Sequence, residues 1–508
     1  MVKREKLKRK IKLIPESTVM CGAFVAGGFS EVLFLMLVLA LDVLPFKYLS
    51  AMLIFILVLD VIIVYLANSK SKHGTRRIGA LVLILLILNV LVIGDSYVYS
   101  TYDTLEKISK SRAIWQVYDV VALKEGDHST IDSISGKKVY APERKSKELN
   151  EAKERLVTKS DVSYAEETNI IDLGKKLVGE EGELNDEIAL MTKEDYGILS
   201  KQIQGFKKNT EVIYTIKVKK RSDDGVKAVD VTEDSFNILI SGKDVWGKLK
   251  DKDGLSDVNM VMTVNPETKK ILLTSIPRDS YISLHTYGAK DKLTHTGIYG
   301  ADETRKTIED FLEIDINYSI TVNFSMLVDL VEAIDGIDVY SDYTFKSALK
   351  EYHYIKGWNH VGGWKALYFA RERKAFTEGD MQRNKNQQIV LKAIIDKVTN
   401  SRVIMTKYTK ILNAVEDEMY TDMSDKDLKK LAKLTLRDMK HGWKVESVNI
   451  TGGTGGAPCF SMGNQNLSCV FPNQESVDEC KKAIHDCMYP VDNTLKKDDK
   501  KDGNTNGK

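Results

Sequence analysis

The sequence WKALYFARERKAFTEGDMQRNKNQQ, residues 364–388, carries three arginines and a change of residue spacing that decides the local fold. Arg371 and Arg373 are two residues apart, so on extended backbone both side chains project from one face, whereas on a helix they would diverge. We therefore predict that the arginine pair lies on an extended segment.

A helix is predicted to follow that segment. Asp380, Arg383 and Gln387 fall at i, i+3 and i+7, which places their side chains on one stripe of a helix. Val390 and Ile394 begin a second stripe, which repeats every fourth residue and is apolar enough to pack into a core. The polar stripe is then available to face the arginine pair.

Two guanidinium groups opposite a polar helix stripe predict a cradle for a multiply charged anion. Each planar guanidinium can hold two oxygens of a phosphate at once, a geometry that lysine lacks. A solvated basic surface is the alternative, since charged residues usually lie in water. The rest of the sequence bears on the choice between them.

The overall composition excludes some classes of partner. The chain has 508 residues, which is enough for two or three domains with cores of their own. Its 74 lysines and arginines nearly balance 72 aspartates and glutamates, so the total charge does not indicate a nucleic acid partner. Positive charge is instead concentrated in residues 3–12.

Three apolar segments follow this basic N-terminus, at residues 18–41, 48–67 and 78–93. The first two are long enough to cross a hydrocarbon core, which takes about 20 helical residues, and the third reaches that length with its flanks. A cleaved signal peptide is not expected, because cleavage after the first segment would leave two more in place. We predict that residues 1–95 form a basic cytoplasmic N-terminus and three transmembrane helices.

The connecting loops predict the orientation in the membrane. The second loop region carries Lys70, Lys72, Arg76 and Arg77, whereas the first loop, residues 42–47, carries one basic residue. The positive-inside rule therefore places the N-terminus and the second loop in the cytoplasm. Everything after about residue 95 is then extracytoplasmic, and the protein is a multi-pass protein of the cell membrane.

Residues 96–231 are predicted to form a small α/β accessory domain. Residues 117–123, 138–141 and 211–219 have the composition and alternation of strands, and residues 146–157 those of a charged helix. The segment contains no motif that indicates a reaction.

Residues 232–456 are predicted to form a second, three-layer α/β domain. Strands alternate with amphipathic helices along this region, which is the pattern of a sheet covered by helices on both faces. The predicted strands are residues 236–240, 258–264, 271–276 and 319–322, and the predicted helices are residues 303–312 and 326–333.

Polar side chains cluster at the predicted strand ends, where open α/β sheets place their ligands. They are Asp244, Asp257, Arg278, Asp279, Lys292 and His295. Each has an ordinary alternative: Asp257 can be a turn former, Arg278 and Asp279 a surface ion pair, and His295 a structural histidine.

The motifs that hold these residues resemble those of the LytR-CpsA-Psr family of Gram-positive cell-wall proteins, above all its capsule-associated members. The motifs occur in family order: SDVNMVMTVNPETKKILLTSIPRDSYI, DKLTHTGIYG, NFSMLVDLVEAIDGIDV and FARERKAFTEGDMQRNKNQQ. The resemblance implies three N-terminal spans, an accessory domain and an αβα-sandwich catalytic domain. It also implies an extracytoplasmic phosphotransferase that moves a glycopolymer from a polyprenyl-diphosphate carrier to peptidoglycan.

Site residues follow from the same resemblance. Asp244 and Asp257 match the acids associated with Mg²⁺, and Asp279, beside Arg278, is a candidate base for the acceptor hydroxyl. Lys292 is a further candidate for substrate binding. The residues matching the diphosphate-binding set are Arg278, Arg371, Arg373, Arg383 and Gln387, of which Arg278, Arg371 and Arg373 are the catalytic candidates.

Two other functions use the same residues. A membrane-tethered regulatory or binding protein would hold the lipid-linked polysaccharide without a reaction, and a polyprenyl-diphosphate hydrolase would use water as the acceptor. The charge-stabilising groups are the same for transfer and for hydrolysis, so the sequence leaves these alternatives open. It also leaves the polymer and the acceptor sugar open.

Residues 457–508 are predicted to form a cysteine-containing segment with a disordered polar tail after residue 493. Outside the cytoplasm four cysteines can form two bridges. Residues 476–488 have helical spacing, which would hold Cys480 and Cys487 about 10 Å apart, beyond the roughly 7 Å limit of a bridge. We therefore predict bridges from this helix to Cys459 and Cys469. The glycine-rich TGGTGG at residues 451–456 lacks the lysine of a phosphate loop and is predicted to be a flexible turn.

Overall fold

The computed structural model describes most of the chain. Three groups of residues named above lie outside the described part: the basic N-terminal run, Lys70 and Lys72, and the polar tail. The described residues are 16–68, 75–109, 115–143, 146–179, 184–219, 227, 229–244, 246, 247, 249, 255–348, 352–400, 402–416, 418–438, 442–462 and 465–490.

The described part forms an α/β protein with the following elements. The helices are α1 (Glu16–Leu41), α2 (Phe46–Ala67), α3 (Thr75–Ser109), α4 (Lys147–Val157), α5 (Ile170–Val178), α6 (Lys193–Gln202), α7 (Phe206–Asn209), α8 (Ala301–Leu312), α9 (Phe324–Ala333), α10 (Gly363–Arg371), α11 (Asp380–Asn400), α12 (Val403–Thr406), α13 (Tyr408–Val415), α14 (Asp425–Asp438) and α15 (Gln474–Met488). The strands are β1 (Trp115–Leu123), β2 (Lys138–Pro142), β3 (Ser163–Glu167), β4 (Ile188–Thr192), β5 (Thr210–Lys219), β6 (Phe236–Lys243), β7 (Ser256–Asn265), β8 (Lys270–Ile276), β9 (Tyr281–Ser283), β10 (Lys290–Lys292), β11 (Tyr318–Asn323), β12 (Ile337–Ser341), β13 (Phe345–Lys346), β14 (His353–Tyr354), β15 (Gly357–Val361), β16 (Met419–Thr421), β17 (Lys444–Asn449), β18 (Gly452–Cys459) and β19 (Gln465–Pro472).

Helices α1, α2 and α3 are each long and apolar enough to cross a membrane. Helix α3 has 35 residues and continues 16 residues past the end at residue 93 that the apolar pattern predicts. Its last turns carry polar residues and contact the C-terminal part of the chain: Tyr408 donates a hydrogen bond of 2.8 Å to Thr101. Helix α3 thus continues beyond its apolar part, and its polar end contacts and supports the domain that follows.

The accessory region is a five-stranded mixed sheet in the order β3-β2-β4-β1-β5. Its strands carry alternating apolar residues, and those on one face pack with the apolar stripe of α4, which includes Leu149 and Leu156. Helix α5 covers the other face through Leu173 and Leu177. The strands and the helix predicted for this region are confirmed.

The second domain is built on a six-stranded sheet in the order β16-β11-β6-β7-β8-β17. Strand β7 is antiparallel to both β6 and β8, while β11 is parallel to β6 and β17 is parallel to β8. Helices α8 and α15 pack on the face that includes Leu239 and Leu272. Helices α11 and α14 pack on the opposite face, which includes Ile238 and Leu273. The predicted αβα sandwich is confirmed.

A separate hydrophobic core positions the arginine stretch. Val331 of α9, Phe369 of α10 and Val390 of α11 are buried together with Tyr354 of β14. Since α10 and α11 share this core, the end of one and the start of the other are held at fixed positions.

The prediction that the TGGTGG segment is a turn is wrong. Most of the segment belongs to strand β18, which pairs with β19 in an antiparallel hairpin. The glycines permit the two backbones to approach closely: a Cβ at Gly452 would lie 2.2 Å from the carbonyl oxygen of Phe471. Local sequence missed this because pairing with β19 is a contact between distant residues.

The predicted disulfide pairing is also wrong. Cys480 and Cys487 lie on α15 and are buried in the core formed with β7 and β8. Cys459 and Cys469 lie on the hairpin and are buried in a different cluster, with their Sγ atoms 3.8 Å apart. All four thiols are free in the structure. The predicted domain end at residue 456 falls before α15, which nevertheless belongs to the core of the sheet.

Candidate functional site

A cleft of about 240 Å³ opens at one edge of the six-stranded sheet. The carboxyl ends of β6 and β8 and the amino end of the antiparallel β7 meet at this edge, because β7 runs opposite to its two neighbours. The cleft is completed by α9, by the end of α10 and by the start of α11. Its lining residues are Asp244, Asp257, Val258, Arg278, Phe324, Ala348, Arg371, Glu372, Arg373, Lys374, Arg383 and Gln387.

Asp257 and Arg278 form the ion pair at the sheet edge. Nη1 of Arg278 donates a short hydrogen bond to Oδ1 of Asp257, and Nε of Arg278 lies 3.7 Å from Oδ2 of Asp279. Burial lowers the pKa of Arg278, but the two carboxylates outweigh it and raise that pKa above its ordinary value. The guanidinium is therefore a permanent positive charge at the edge of the cleft.

Arg371 is held between an acid and an aromatic ring. Its Nη2 lies 3.3 Å from Oδ2 of Asp244, and its guanidinium carbon lies 4.3 Å from the centre of the Phe324 ring. Phe324 is the first residue of α9, whose N-cap Asn323 accepts a hydrogen bond from the backbone N–H of Met326. The ring fixes the plane of the guanidinium through a cation–π contact.

Glu372 shapes the turn that separates the two arginines. Its Oε1 accepts hydrogen bonds from the backbone N–H groups of Arg373, Lys374 and Ala375 at 2.8–3.1 Å, and its Oε2 accepts one from Ala348 at 2.7 Å. Burial raises the pKa of this carboxyl, but the backbone donors outweigh it and hold the pKa below its ordinary value. Glu372 is an anion that organises the loop.

The extended segment predicted for the arginine pair is therefore only partly correct. Arg371 is the last residue of α10, and Glu372, which follows it, has extended backbone with φ −69° and ψ 129°. Ending the helix at this point brings Arg371 and Arg373 into the same cleft. The predicted helix from Asp380 is confirmed.

Arg383 is the most buried cation of the cleft, with 8% of its surface exposed. Its Nη2 lies 3.3 Å from Oδ2 of Asp380, which also lies near Arg373, with 3.7 Å between Nη1 and Oδ1. Neither Nε nor Nη2 of Arg383 makes a hydrogen bond to another described residue. Burial lowers the pKa of Arg383, and the nearby Arg278 lowers it further. An anion in the cleft would meet donors that are already desolvated.

The structure brings seven of the nine site residues predicted from the sequence to this cleft: Asp244, Asp257, Arg278, Arg371, Arg373, Arg383 and Gln387. Asp279 and Lys292 are not among its described lining residues. They form an ion pair of 3.2 Å beside Arg278, so they hold the loop from which Arg278 projects.

Sequence reasoning missed Phe324, Glu372 and Lys374, which also line the cleft. In the ARERK motif Glu372 lies between the two arginines and Lys374 follows them directly, so their position was a usable signal. Phe324 follows an N-cap asparagine, but nothing in its local pattern indicates that it stacks on Arg371.

The two aspartates fit a hydrated Mg²⁺ ion. One oxygen of each carboxylate interacts with an arginine, Asp244 with Arg371 and Asp257 with Arg278. A carboxylate has a second oxygen, and Mg²⁺ is usually held by one or two carboxylates together with water and substrate phosphates. The donor set is all oxygen, which suits a hard cation.

Comparison with known proteins decides the family. The sequence model of the LytR_cpsA_psr family matches residues 199–486, which is more than half of the chain. This protein belongs to the LytR-CpsA-Psr family. The matched range contains the whole cleft, and it also includes the β18–β19 hairpin and nearly all of α15.

Individual relatives agree with the family assignment. The polyisoprenyl-teichoic acid–peptidoglycan teichoic acid transferase TagU of Enterococcus faecalis is 32% identical over 201 residues, which cover 39% of this chain and 65% of that protein. TagV of Bacillus subtilis, a transferase of the same description, is 29% identical over 271 residues, covering 51% of this chain and 66% of TagV. This LytR-CpsA-Psr chain thus spans slightly less than two thirds of each relative's length.

Solved structures are also similar to this family member. The crystal structure of B. subtilis TagV matches with a TM-score of 0.41 and 29% identity, over 50% of this chain and 98% of that one. TagT bound to LIIa-WTA matches with a TM-score of 0.41 and 28% identity, over 53% of this chain and 96% of that one.

Proposed function

We propose that this protein is an extracytoplasmic phosphotransferase that moves a glycopolymer from a polyprenyl-diphosphate carrier to peptidoglycan. The polymer would be a capsular polysaccharide, a teichoic acid or a related chain. The observation that carries the proposal is the convergence of four arginines from two separate parts of the sequence on one small cleft.

The charge of the cleft suits a diphosphate. Its lining carries five cationic side chains against three acidic ones, a formal surplus of two positive charges. The carboxylate of Glu372 is already bound by backbone N–H groups. The other acidic residues of the lining are the two aspartates that would hold Mg²⁺. Arginine forks and a bound cation together neutralise the charge that spreads over phosphate oxygens in the transition state.

The proposed reaction forms one bond and breaks one. A peptidoglycan hydroxyl oxygen attacks the phosphorus attached to the glycan, the bond from that phosphorus to the bridging oxygen of the diphosphate breaks, and polyprenyl phosphate leaves. The hydroxyl proton goes to a phosphate oxygen of the substrate, because Asp279, the base predicted from the sequence, is not among the described lining residues of the cleft and pairs with Lys292. Bound Mg²⁺ would stabilise the charge on the diphosphate oxygens, with Asp244 and Asp257 as its protein ligands.

The cationic residues have distinct tasks in this reaction. Arg371, fixed against Phe324, and Arg373, at the turn made by Glu372, are placed to hold the diphosphate as planar forks. Arg383 supplies desolvated donors from the α11 side, and Arg278 supplies charge from the sheet edge. Positioning of this kind accounts for most of phosphoryl-transfer catalysis.

Three membrane spans would hold the transfer reaction next to the membrane in which its lipid substrate lies. We propose that α1, α2 and α3 all cross the cell membrane, with the accessory and catalytic domains outside. Sequence relatives described as transferases that act on polyisoprenyl-linked teichoic acid and peptidoglycan support this choice of substrates.

The test uses the full-length protein in proteoliposomes with a polyprenyl-diphosphate-linked glycan and peptidoglycan fragments. Transfer of the glycan phosphate to the fragments is the expected result. Release of the glycan into water, without transfer, would reject the transferase in favour of a hydrolase. Binding without turnover would reject catalysis altogether.

A further inference from the structure

A buried cluster of metal-ligand side chains lies outside the cleft, between the loop after β10 and the β18–β19 hairpin. Ligand atoms of three members lie within 4.8 Å of one another. Cys469 lies beside this group, with its Sγ atom 3.8 Å from that of Cys459. We call this set the thiol cluster, and its members are Asp291, His295, Cys459 and Cys469.

The thiol cluster is closed to water. Asp291 and Cys459 are fully buried, and His295 and Cys469 are 6% and 1% exposed. Nδ1 of His295 lies 2.6 Å from Oδ1 of Asp291. Burial and the nearby Asp291 raise the pKa of the Cys459 thiol to about 12.

The spacing of the two thiols matches shared coordination. Two sulfurs bound to a tetrahedral ion at about 2.3 Å each lie about 3.8 Å from one another, whereas the sulfurs of a disulfide are about 2.05 Å apart. The strand register pairs Cys459 with Gln465 and Cys469 with Gly455, so the two cysteines are not directly opposed on the hairpin. Their side chains meet beside the Asp291–His295 pair.

The ligand types select the metal. Two sulfurs, one imidazole and one carboxylate suit zinc or a similar thiophilic ion, while Mg²⁺ and Ca²⁺ prefer oxygen ligands alone. Ligand atoms of Asp291, His295 and Cys459 are already grouped, and Cys469 would complete the set by a shift of its side chain. Zinc sites closed by four protein ligands are structural, because a catalytic zinc keeps an open position. We infer that the thiol cluster is a structural binding site for a divalent cation of the zinc class.

A cation at this position would join the hairpin to the loop that supports Arg278. Asp291 is adjacent to Lys292, whose Nζ lies 3.2 Å from Asp279. On the hairpin side, the N–H of Val470 donates a 2.8 Å hydrogen bond to the carbonyl oxygen of Asp279. The ion would therefore brace the Arg278 loop from both sides without touching substrate.

The first test measures metal in the full-length protein purified in detergent without chelators. The expected content, by mass spectrometry of the metal, is about one zinc per chain, as for a closed structural site. The Cys459→Ser, Cys469→Ser variant should lose the zinc. Cys480→Ala is the matched control, since it removes a buried cysteine from another cluster, and it should keep the zinc.

A second measurement does not depend on the folding of the double variant. Co²⁺ added to the metal-depleted native chain should give a thiolate-to-cobalt charge-transfer absorption, and Cys469→Ala should lower its intensity to about half, because one of two sulfur ligands is gone. A zinc chelator should lower the Tm of the native chain and of Cys480→Ala.

Three outcomes would overturn the inference. In the first, the native chain contains no zinc and gives no cobalt band. In the second, peptide mapping without reductant finds Cys459 and Cys469 joined by a disulfide. In the third, the double variant retains its full zinc content. None of these results bears on transfer activity, so they leave the proposed reaction standing.

Discussion

Lys433 of α14 donates a 2.7 Å hydrogen bond to Asp42, which lies in the loop between the first two apolar helices, 391 residues earlier in the chain. Lys47, in the first turn of α2, donates a 2.7 Å hydrogen bond to the carbonyl oxygen of Arg437. If α1 and α2 cross the membrane as proposed, the loop and the domain that holds the cleft are therefore on the same side of it. The positive-inside pattern of the sequence predicts the same arrangement.

The first prediction concerns this topology. Cysteines are introduced one at a time at positions 46, 72 and 207 in a Cys21→Ser background, in which the four remaining native cysteines are buried, and intact cells are treated with a membrane-impermeant thiol reagent. Phe46→Cys and Lys207→Cys should be labelled, and Lys72→Cys should be labelled only after lysis. Labelling of position 72 but not of position 207 in intact cells would contradict the topology.

A second prediction distinguishes a diphosphate clamp from an attractive positive patch. Replacing Arg371 or Arg373 by lysine keeps the charge but loses the planar fork, so each change should lower transfer at least about tenfold, the size of one lost charge-assisted hydrogen bond. Polymer transfer is the measurement, with folding checked by thermal melting. Arg155→Lys in the accessory domain is the control, and full transfer by the Arg371→Lys, Arg373→Lys variant would reject the clamp.

The third prediction concerns magnesium. Asp244→Asn and Asp257→Asn should each move the Mg²⁺ dependence of transfer to higher concentration, so that excess Mg²⁺ restores part of the rate. Restoration should be incomplete for both variants, because Asp244 also pairs with Arg371 and Asp257 with Arg278. The exposed Asp329 gives the control variant Asp329→Asn. An unchanged Mg²⁺ titration for both site variants would exclude the assigned ligands.

Glu372 supports a prediction about stability and pH. Its folded pKa is below the ordinary value of 4.5, so its stabilising effect is present above about pH 4.5 and is lost as the pH falls through the lower, folded value. Glu372→Gln should thus lower the free energy of unfolding near pH 7 by about 1–3 kcal/mol, with a smaller difference at low pH. Thermal melting of the native chain and of the variant between pH 4 and 7 measures this difference, with Glu378→Gln as control. A loss of stability that does not depend on pH would disprove the role of the Glu372 charge.

Two neighbouring glycines of the hairpin give a matched pair. A Cβ at Gly452 would meet the Phe471 carbonyl oxygen at 2.2 Å, whereas one at Gly453 meets nothing within 4 Å. Gly452→Ala should therefore lower the Tm by several degrees, through overpacking that costs about 1–3 kcal/mol, and Gly453→Ala should not. Because the hairpin bonds to Asp279, transfer should fall in the first variant alone. Equal melting of the two would show that the hairpin tolerates the change.

Local patterns in the sequence were sufficient for the elements with clear periodicity. The helix from Asp380 and the strands β6, β7 and β8 follow from spacing and from runs of apolar residues. Family motifs then named seven residues that the fold brings to one cleft, although those residues come from two separate segments, 244–278 and 371–387.

The features that the sequence did not predict depend on contacts between distant residues. Arg371 ends a helix because Glu372 binds the next three backbone N–H groups, an interaction that side-chain alternation does not reveal. The glycine-rich strand β18 depends on pairing with β19. Whether two cysteines can form a bridge depends on which hydrophobic cluster each one enters, and the two pairs enter different clusters. Residue spacing alone cannot supply such contacts.

Helix α3 sets the distance between the cleft and the lipid. Its 35 residues extend roughly 50 Å, while the hydrocarbon layer takes about 30 Å, so about 20 Å of the helix stands outside that layer if α3 crosses the membrane as proposed. Hydrogen bonds join the domain that holds the cleft to α3 and to the α1–α2 loop, so these contacts limit how far the cleft can move from the membrane. If the proposed reaction is correct, growth of the polymer layer must begin on glycan strands lying next to the membrane, and older, outer strands are beyond its reach.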